Sequence, residues 1–134
     1  IFLFQKELAD RIVANVDSSS YGRLSILTKW KFDVKRVFEI GPNSFFPKPK
    51  IKSTLLIFTP KTNVVKFKNP SSLEKITRVF FNQRRKMIKK PFNQLFNGDQ
   101  RVLDKLKIDL TMRPQNINLD TYYKLTCEYE NLRS

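Results

Sequence analysis

The stretch FFNQRRKMIKK, Phe80 to Lys90, is where the chain concentrates charge. Arg84, Arg85, Lys86, Lys89 and Lys90 put five cations into seven residues with no acid among them. Guanidinium forks match phosphate oxygens two at a time, and lysines add compact point charges. The spacing predicts a helix over 84–90 that stops before Pro91. On that helix Arg85 and Lys89 lie four apart, as do Lys86 and Lys90, so like charges stack on one face and an anion would relieve them. Met87, Ile88 and Phe92 are expected to hold the other side. The competing reading is a solvated helix face. A second stretch, SSSYGRLSIL from Ser18 to Leu27, could present the Tyr21 ring and the Arg23 cation to a ligand; the alternative is a structural tyrosine beside a helix cap. A third, SFFPKPKIKS from Ser44 to Ser53, precedes an apolar run. Pro47 and Pro49 remove backbone donors and stiffen an extended lip. Lys48, Lys50 and Lys52 alternate and so share a side. Phe45 and Phe46 point opposite ways: one can bury while the other is free to stack on a nucleobase, and packing of both in the core is equally open.

Charge distribution says what these stretches face. The 134 residues carry a net charge of +14. Residues 1–60 hold 10 basic and 5 acidic side chains, residues 61–90 hold 10 and one, and residues 91–134 hold 6 of each. A uniform lysine bias would not leave the last third neutral. A basic block this focused reads as the footprint of a polyanion, nucleic acid first. With no histidine and one cysteine, Cys127, a zinc site or a histidine-based triad is excluded, and no metal is expected. The lone cysteine fits a reducing compartment, so the expected location is cytoplasmic. No apolar run approaches the roughly 20 residues of a membrane helix, and no secretory signal is visible.

The elements that must position these groups change character along the chain. Ile1–Phe4 reads as a strand, Lys6–Ala14 as a helix and Gly22–Trp30 as another, with Leu24, Leu27 and Trp30 inward. Phe32–Ile40 reads as a strand with an irregularity near Lys35-Arg36. Ile51–Thr59 reads as a strand buried on both faces at its centre. Pro60 to Asn69 reads as a linker. A helix then opens near Asn69-Pro70-Ser71. Ser71 and Glu74 would make a capping box, or Asn69 would cap with Pro70 at the first helical position. Leu73, Ile76, Thr77 and Phe80 form its inner stripe. Short helices are predicted at Gln100–Leu106 and Pro114–Ile117. A last one starts after Asn118, with Tyr122, Leu125 and Tyr129 on one side. The fold class is α/β followed by all-α, divided into residues 1–60 and 61–134.

Five pieces, FQKELADRIVA, YGRLSIL, FFPKPKIKS, FNQRRKMIKK and LKIDLTMRPQNINLDTYYKL, occur in order from Phe4 to Leu125. Together they resemble the ribosomal small-subunit RNA adenine dimethyltransferases, the kasugamycin-resistance methyltransferases. The resemblance implies methyl transfer from S-adenosylmethionine to the exocyclic amines of two adjacent adenines near the 3′ end of small-subunit rRNA, on an immature small ribosomal subunit. It implies a Rossmann-like methyltransferase sheet, whose last strands would be residues 1–60, followed by a helical RNA-binding domain over 61–134. The F-x-P-x-P pattern falls on Phe45, Pro47 and Pro49. By that match Phe45 stacks on the flipped-out adenine, since a stacked base hides its amine. Lys48 and Lys50 would face the RNA backbone, with Tyr21, Arg23, Arg84, Arg85, Lys86, Lys89 and Lys90 as further RNA contacts. The glycine-rich cofactor motif and the Asn-Leu-Pro-Tyr motif of that family are absent. The chain is therefore expected to be the C-terminal half of the enzyme, a monomer, neither binding the cofactor nor methylating alone. A non-catalytic RNA-binding or ribosome-assembly module and a helix-turn-helix-like DNA binder are the rival readings.

Overall fold

The computed structural model describes residues 1–40 and 52–133. Three strands, β1 (Phe2–Gln5), β2 (Phe32–Ile40) and β3 (Ser53–Pro60), form one sheet in the order β1-β3-β2. The central strand β3 runs antiparallel to both neighbours. Its register against β2 passes from Arg36↔Leu56 to Phe38↔Leu55, which leaves Val37 as a bulge. The irregularity predicted near Lys35-Arg36 therefore falls one residue later.

Helix α1 (Lys6–Val13) follows β1 directly and lies on the sheet. Ala9 and Ile12 point down onto Leu56, flanked by Phe4, Val13, Val34 and Phe58. Its charges face outward as i,i+4 pairs, Lys6 with Asp10 and Glu7 with Arg11, both at 2.9 Å. Asp10 also takes Arg36 of β2 at 2.7 Å, tying the helix to the sheet. The hydrogen bond from Lys6, aided by both cations, holds the Asp10 carboxyl below its usual range. Burial on β3 is unequal: Thr54 and Leu56 are covered, whereas Leu55 and Ile57 on the opposite face are half-buried. The sheet is thus closed on the α1 side only among the described residues, not on both faces as predicted.

The other long elements among the described residues are helices: α2 (Arg23–Lys31) before β2, then α3 (Ser71–Phe80), α4 (Lys89–Phe96), α5 (Gln100–Leu106) and α6 (Leu119–Leu132). The predicted stripe of α3 is fully inward, with Leu73, Ile76, Thr77 and Phe80 all buried. At its start the Asn69 side chain accepts from the Ser71 amide (3.0 Å), and Pro70 already has helical backbone angles. Of the two caps considered, the Asn69 arrangement is the one present. A second cap comes from α6. The Glu130 carboxylate accepts from the Lys68 and Asn69 amides and the Ser72 hydroxyl (3.0, 2.8 and 2.9 Å). Burial pushes its pKa up, but those hydrogen bonds outweigh burial and hold the acid below its usual range. Asn118 caps α6 by accepting from Thr121. Tyr122, Leu125 and Tyr129 are buried as the helical spacing required.

The larger core does not respect the change from strands to helices at residue 60. Tyr21 and Ile26, from the loop before α2 and from α2 itself, sit in the same cluster as Leu73, Phe80, Phe92 and Tyr122. Helix α2 departs from the predicted face: Ser25 and Ile26 are buried while Leu24 is 36% exposed. The segment read as a linker is strapped down. The Trp30 indole donates to the Val65 carbonyl (2.6 Å) and packs on Phe67 at 5.0 Å.

A candidate nucleic-acid interface

The basic stretch adopts a different backbone from the one predicted. Helix α3 ends at Phe80, Phe81–Gln83 make a single 3-10 turn, and residues 84–86 are turn and bend. The next helix begins at Lys89, so no helix spans 84–90. The physical reason is Pro91. A proline blocks a helix that reaches it from the N-terminal side, but in a first turn its missing N–H has no partner to lose. Pro91 is the third residue of α4 and starts the helix rather than stopping it. The cations therefore do not stack at i,i+4 on one face. They sit on a tight turn and the start of α4, anchored from below. The Ile88 amide donates to the Met112 carbonyl (2.8 Å), and Ile88 and Phe92 are fully buried. Met87 does not join them; it is 54% exposed.

Around that anchor Arg85, Lys86, Lys89 and Lys90 are all exposed, and no ion pair within the described residues engages any of them. Arg84 behaves differently. Its guanidinium turns inward and donates to the backbone carbonyls of Tyr21, Ser18 (3.3 Å) and Ser19 (2.7 Å). It also lies over the Phe81 ring, 5.9 Å from its centre. A Cβ on Gly22 would stand 3.3 Å from the Arg84 guanidinium, so a glycine there keeps the approach open. Arg84 is thus a bolt between the basic turn and the Ser18–Tyr21 loop, with three of its donors committed to carbonyls.

That loop corrects a second expectation. Tyr21 has no exposed surface, and its hydroxyl donates to the Ile117 carbonyl (2.7 Å). Its ring meets Phe81 edge-on at 6.4 Å. Burial, with Tyr123 and Asp17 adding to it, pushes the phenol well above its ordinary value. The Tyr21 ring is a core residue and is withdrawn as an RNA contact. Arg23 is exposed and leans over α3, its guanidinium 3.4 Å from the Glu74 carbonyl and 3.5 Å from the Thr77 hydroxyl. Phe45, Lys48 and Lys50 lie outside the described residues.

Two features of this surface carried no signal in the sequence. Beside the basic turn a groove of about 580 Å³ runs between the end of α3 and the start of α4, lined by Val79, Met87 and Pro91 with Lys86, Lys89 and Lys90. Elsewhere Lys75 and Arg133 both lie over the Tyr129 ring, 5.4 and 5.1 Å from its centre, in a cleft that also holds Lys68 and Arg78. Both assemble residues from separate helices, which no spacing rule reveals. Gly22 faces Arg84 and Phe81, and Gly98 sits against the Asn93 side chain, so neither brings bare backbone to an open cavity. Among those residues no helix is long and apolar enough to cross a membrane, and no three metal-ligating side chains gather.

A family model described as ribosomal RNA adenine dimethylase matches residues 1–131. Ribosomal RNA small subunit methyltransferase A of Pelagibacter ubique is 58% identical over 133 residues, covering 99% of this chain and 51% of that protein. Its namesake from a Wolbachia strain of Drosophila simulans is 38% identical over 131 residues, covering 97% and 48%. The chain thus spans about half the length of the curated relatives it matches. Among solved structures, a dimethyladenosine transferase from Plasmodium falciparum superposes with a TM-score of 0.81 at 27% identity, over 96% of this chain and 56% of that one. The 23S rRNA methyltransferase ErmE, at 14% identity and a TM-score of 0.67 over 96% and 53%, shares the fold.

Proposed function

The chain belongs to the ribosomal RNA adenine dimethylase family, and from that premise we propose that the whole protein dimethylates two adjacent adenines near the 3′ end of small-subunit rRNA. S-adenosylmethionine is the methyl donor and an immature small ribosomal subunit the substrate, in the cytoplasm, with the protein acting as a monomer. This chain's share of that work is to hold RNA. Residues 1–60 belong to the catalytic domain and 61–134 to the RNA-binding one. Phe45, by its place in the F-x-P-x-P pattern, stacks on the target adenine, with Lys48 and Lys50 beside it on the RNA backbone. The observation that carries the reading is the cationic turn Arg85, Lys86, Lys89 and Lys90, exposed, paired with no acid among the described residues, and held on the buried pair Ile88 and Phe92. Phosphate is the ligand such a turn suits.

The test is rRNA binding by the full-length protein across a salt series. Arg85→Ala with Lys86→Ala should weaken binding at all salt concentrations and lower the slope of log affinity against log salt by about one to two units. An unchanged slope would remove the turn from the interface. The chain by itself is expected to leave its melting temperature unmoved by S-adenosylmethionine, because its described glycines form no cradle. A shift would show that the cofactor site lies here after all.

A further inference from the structure

The basic turn borders a groove whose lining is not what a phosphate site requires. Phosphate asks for donors and positive charge, and an apolar floor adds nothing to it. Here the floor is apolar: Val79 and Pro91 are half-buried, and Met87 stands exposed between them and solvent. Lys86, Lys89 and Lys90 lie along the groove, and its lining includes no acid. Four carboxamides complete the wall: Asn82 and Gln83 on the α3 side, Asn93 and Gln94 on α4. All four are exposed, and no side-chain hydrogen bond engages them among the described residues. Carboxamides offer a donor and an acceptor side by side, the geometry that matches a nucleobase edge. Flexible methionine fits flat or irregular apolar partners.

We propose that this groove takes one unpaired nucleotide of the bound RNA, its base against Met87 and Pro91, its phosphates on Lys86, Lys89 and Lys90, and its edge toward the carboxamides. The groove is then a second base-binding site, on the helical part of the molecule, apart from the Phe45 lip. The inference rests on the RNA-binding reading above and specifies which part of the RNA the turn holds. An acidic peptide with apolar side chains would satisfy the lysines and the floor, but it gives four free carboxamides nothing distinctive to read.

The experiment compares three anionic probes on the full-length protein: single-stranded RNA, the same strand with abasic sites, and polyglutamate. Single-stranded RNA should bind best. Met87→Ala should weaken it roughly five- to tenfold, the effect of uncovering one apolar contact area, and Met87→Leu should restore most of the loss. Binding of the abasic strand should be insensitive to both variants. Met87 is exposed, so neither change threatens folding. Equal binding of intact and abasic strands, or displacement of RNA by polyglutamate at matched charge, would overturn the groove proposal while leaving a salt-dependent RNA interface standing. Failure to bind any RNA would overturn both readings.

Discussion

The sheet and the helical part bury their apolar residues in opposite ways. Among the described residues the apolar side chains buried between α1 and the sheet are Ala9, Ile12 and Leu56, while Phe2, Leu3 and Val37 remain 60, 48 and 42% exposed. Its rings gather along the sheet, Phe58 lying 5.7, 5.8 and 6.1 Å from Phe2, Phe4 and Phe32, yet Phe2 and Phe32 are exposed. The helical cluster instead closes on itself: Leu73, Ile76, Phe80, Ile88, Phe92 and Tyr122 lose essentially all solvent contact. The cationic turn is mounted on this closed side, with Ile88 and Phe92 as its footing. A charged surface that must meet a polyanion in one geometry gains from a footing that does not rearrange. The closed core of this molecule therefore lies beneath the cationic turn and not beneath the strands.

The comparison breaks first in the cores. Phe92→Ala should cost about 3–5 kcal/mol, and Leu56→Ala about 2–3, because a thin, half-open core relaxes around a cavity more easily. Urea denaturation of the two variants checks the order, and equal costs would mean the sheet is as closed as the helices. Next comes the bolt. Arg84→Ala should cost about 1–3 kcal/mol by leaving three carbonyls without their donor, and amide exchange should quicken in residues 17–22. Loss of RNA binding with no change in exchange would instead put Arg84 among the outward cations.

A third test uses pH. Burial raises the pKa of Tyr21, Tyr122 and Tyr123 above the ordinary value near 10. A raised pKa means the folded state favours the protonated phenol. Their contribution is therefore full below about pH 10 and falls away as pH climbs further toward the folded-state values. Thermal melts in alkaline buffers should show that decline, and Tyr21→Phe should make it shallower. The smallest effect separates outward from inward charge: Arg85→Ala should change stability by less than about 0.5 kcal/mol, while still lowering the salt slope of RNA binding.

Where local rules act alone, residues and structure agree. The stripe Leu73, Ile76, Thr77 and Phe80 repeats at 3.6 and is buried as a unit. Asn118 caps, and the register shift in β2 lies where the alternation falters. Disagreement begins where a residue has two physical uses. Pro91 reads as a stop but serves as a start, because only the position of the first helical residue decides whether its missing N–H matters. Tyr21 reads as a presented ring but is interior, because one carbonyl 96 residues away satisfies its hydroxyl. Leu24 reads as inward, yet α2 turns Ile26 to the core, because the neighbouring helices and not its own pattern set its rotation.

The amino-acid order alone determined a strand-then-helix chain, a basic block between residues 61 and 90, and the motif order that marks the family. These rest on periodicity, on composition and on short-range chemistry, all of which act between near neighbours. Only the tertiary structure decided how the block is divided. Arg84 and Arg85, adjacent and identical, look equivalent in sequence. In the fold, Arg84 meets three carbonyls more than sixty residues back along the chain, while Arg85, Lys86, Lys89 and Lys90 are exposed. A side chain's role is set by what the fold brings within hydrogen-bond reach, and that distance is not written in the local sequence.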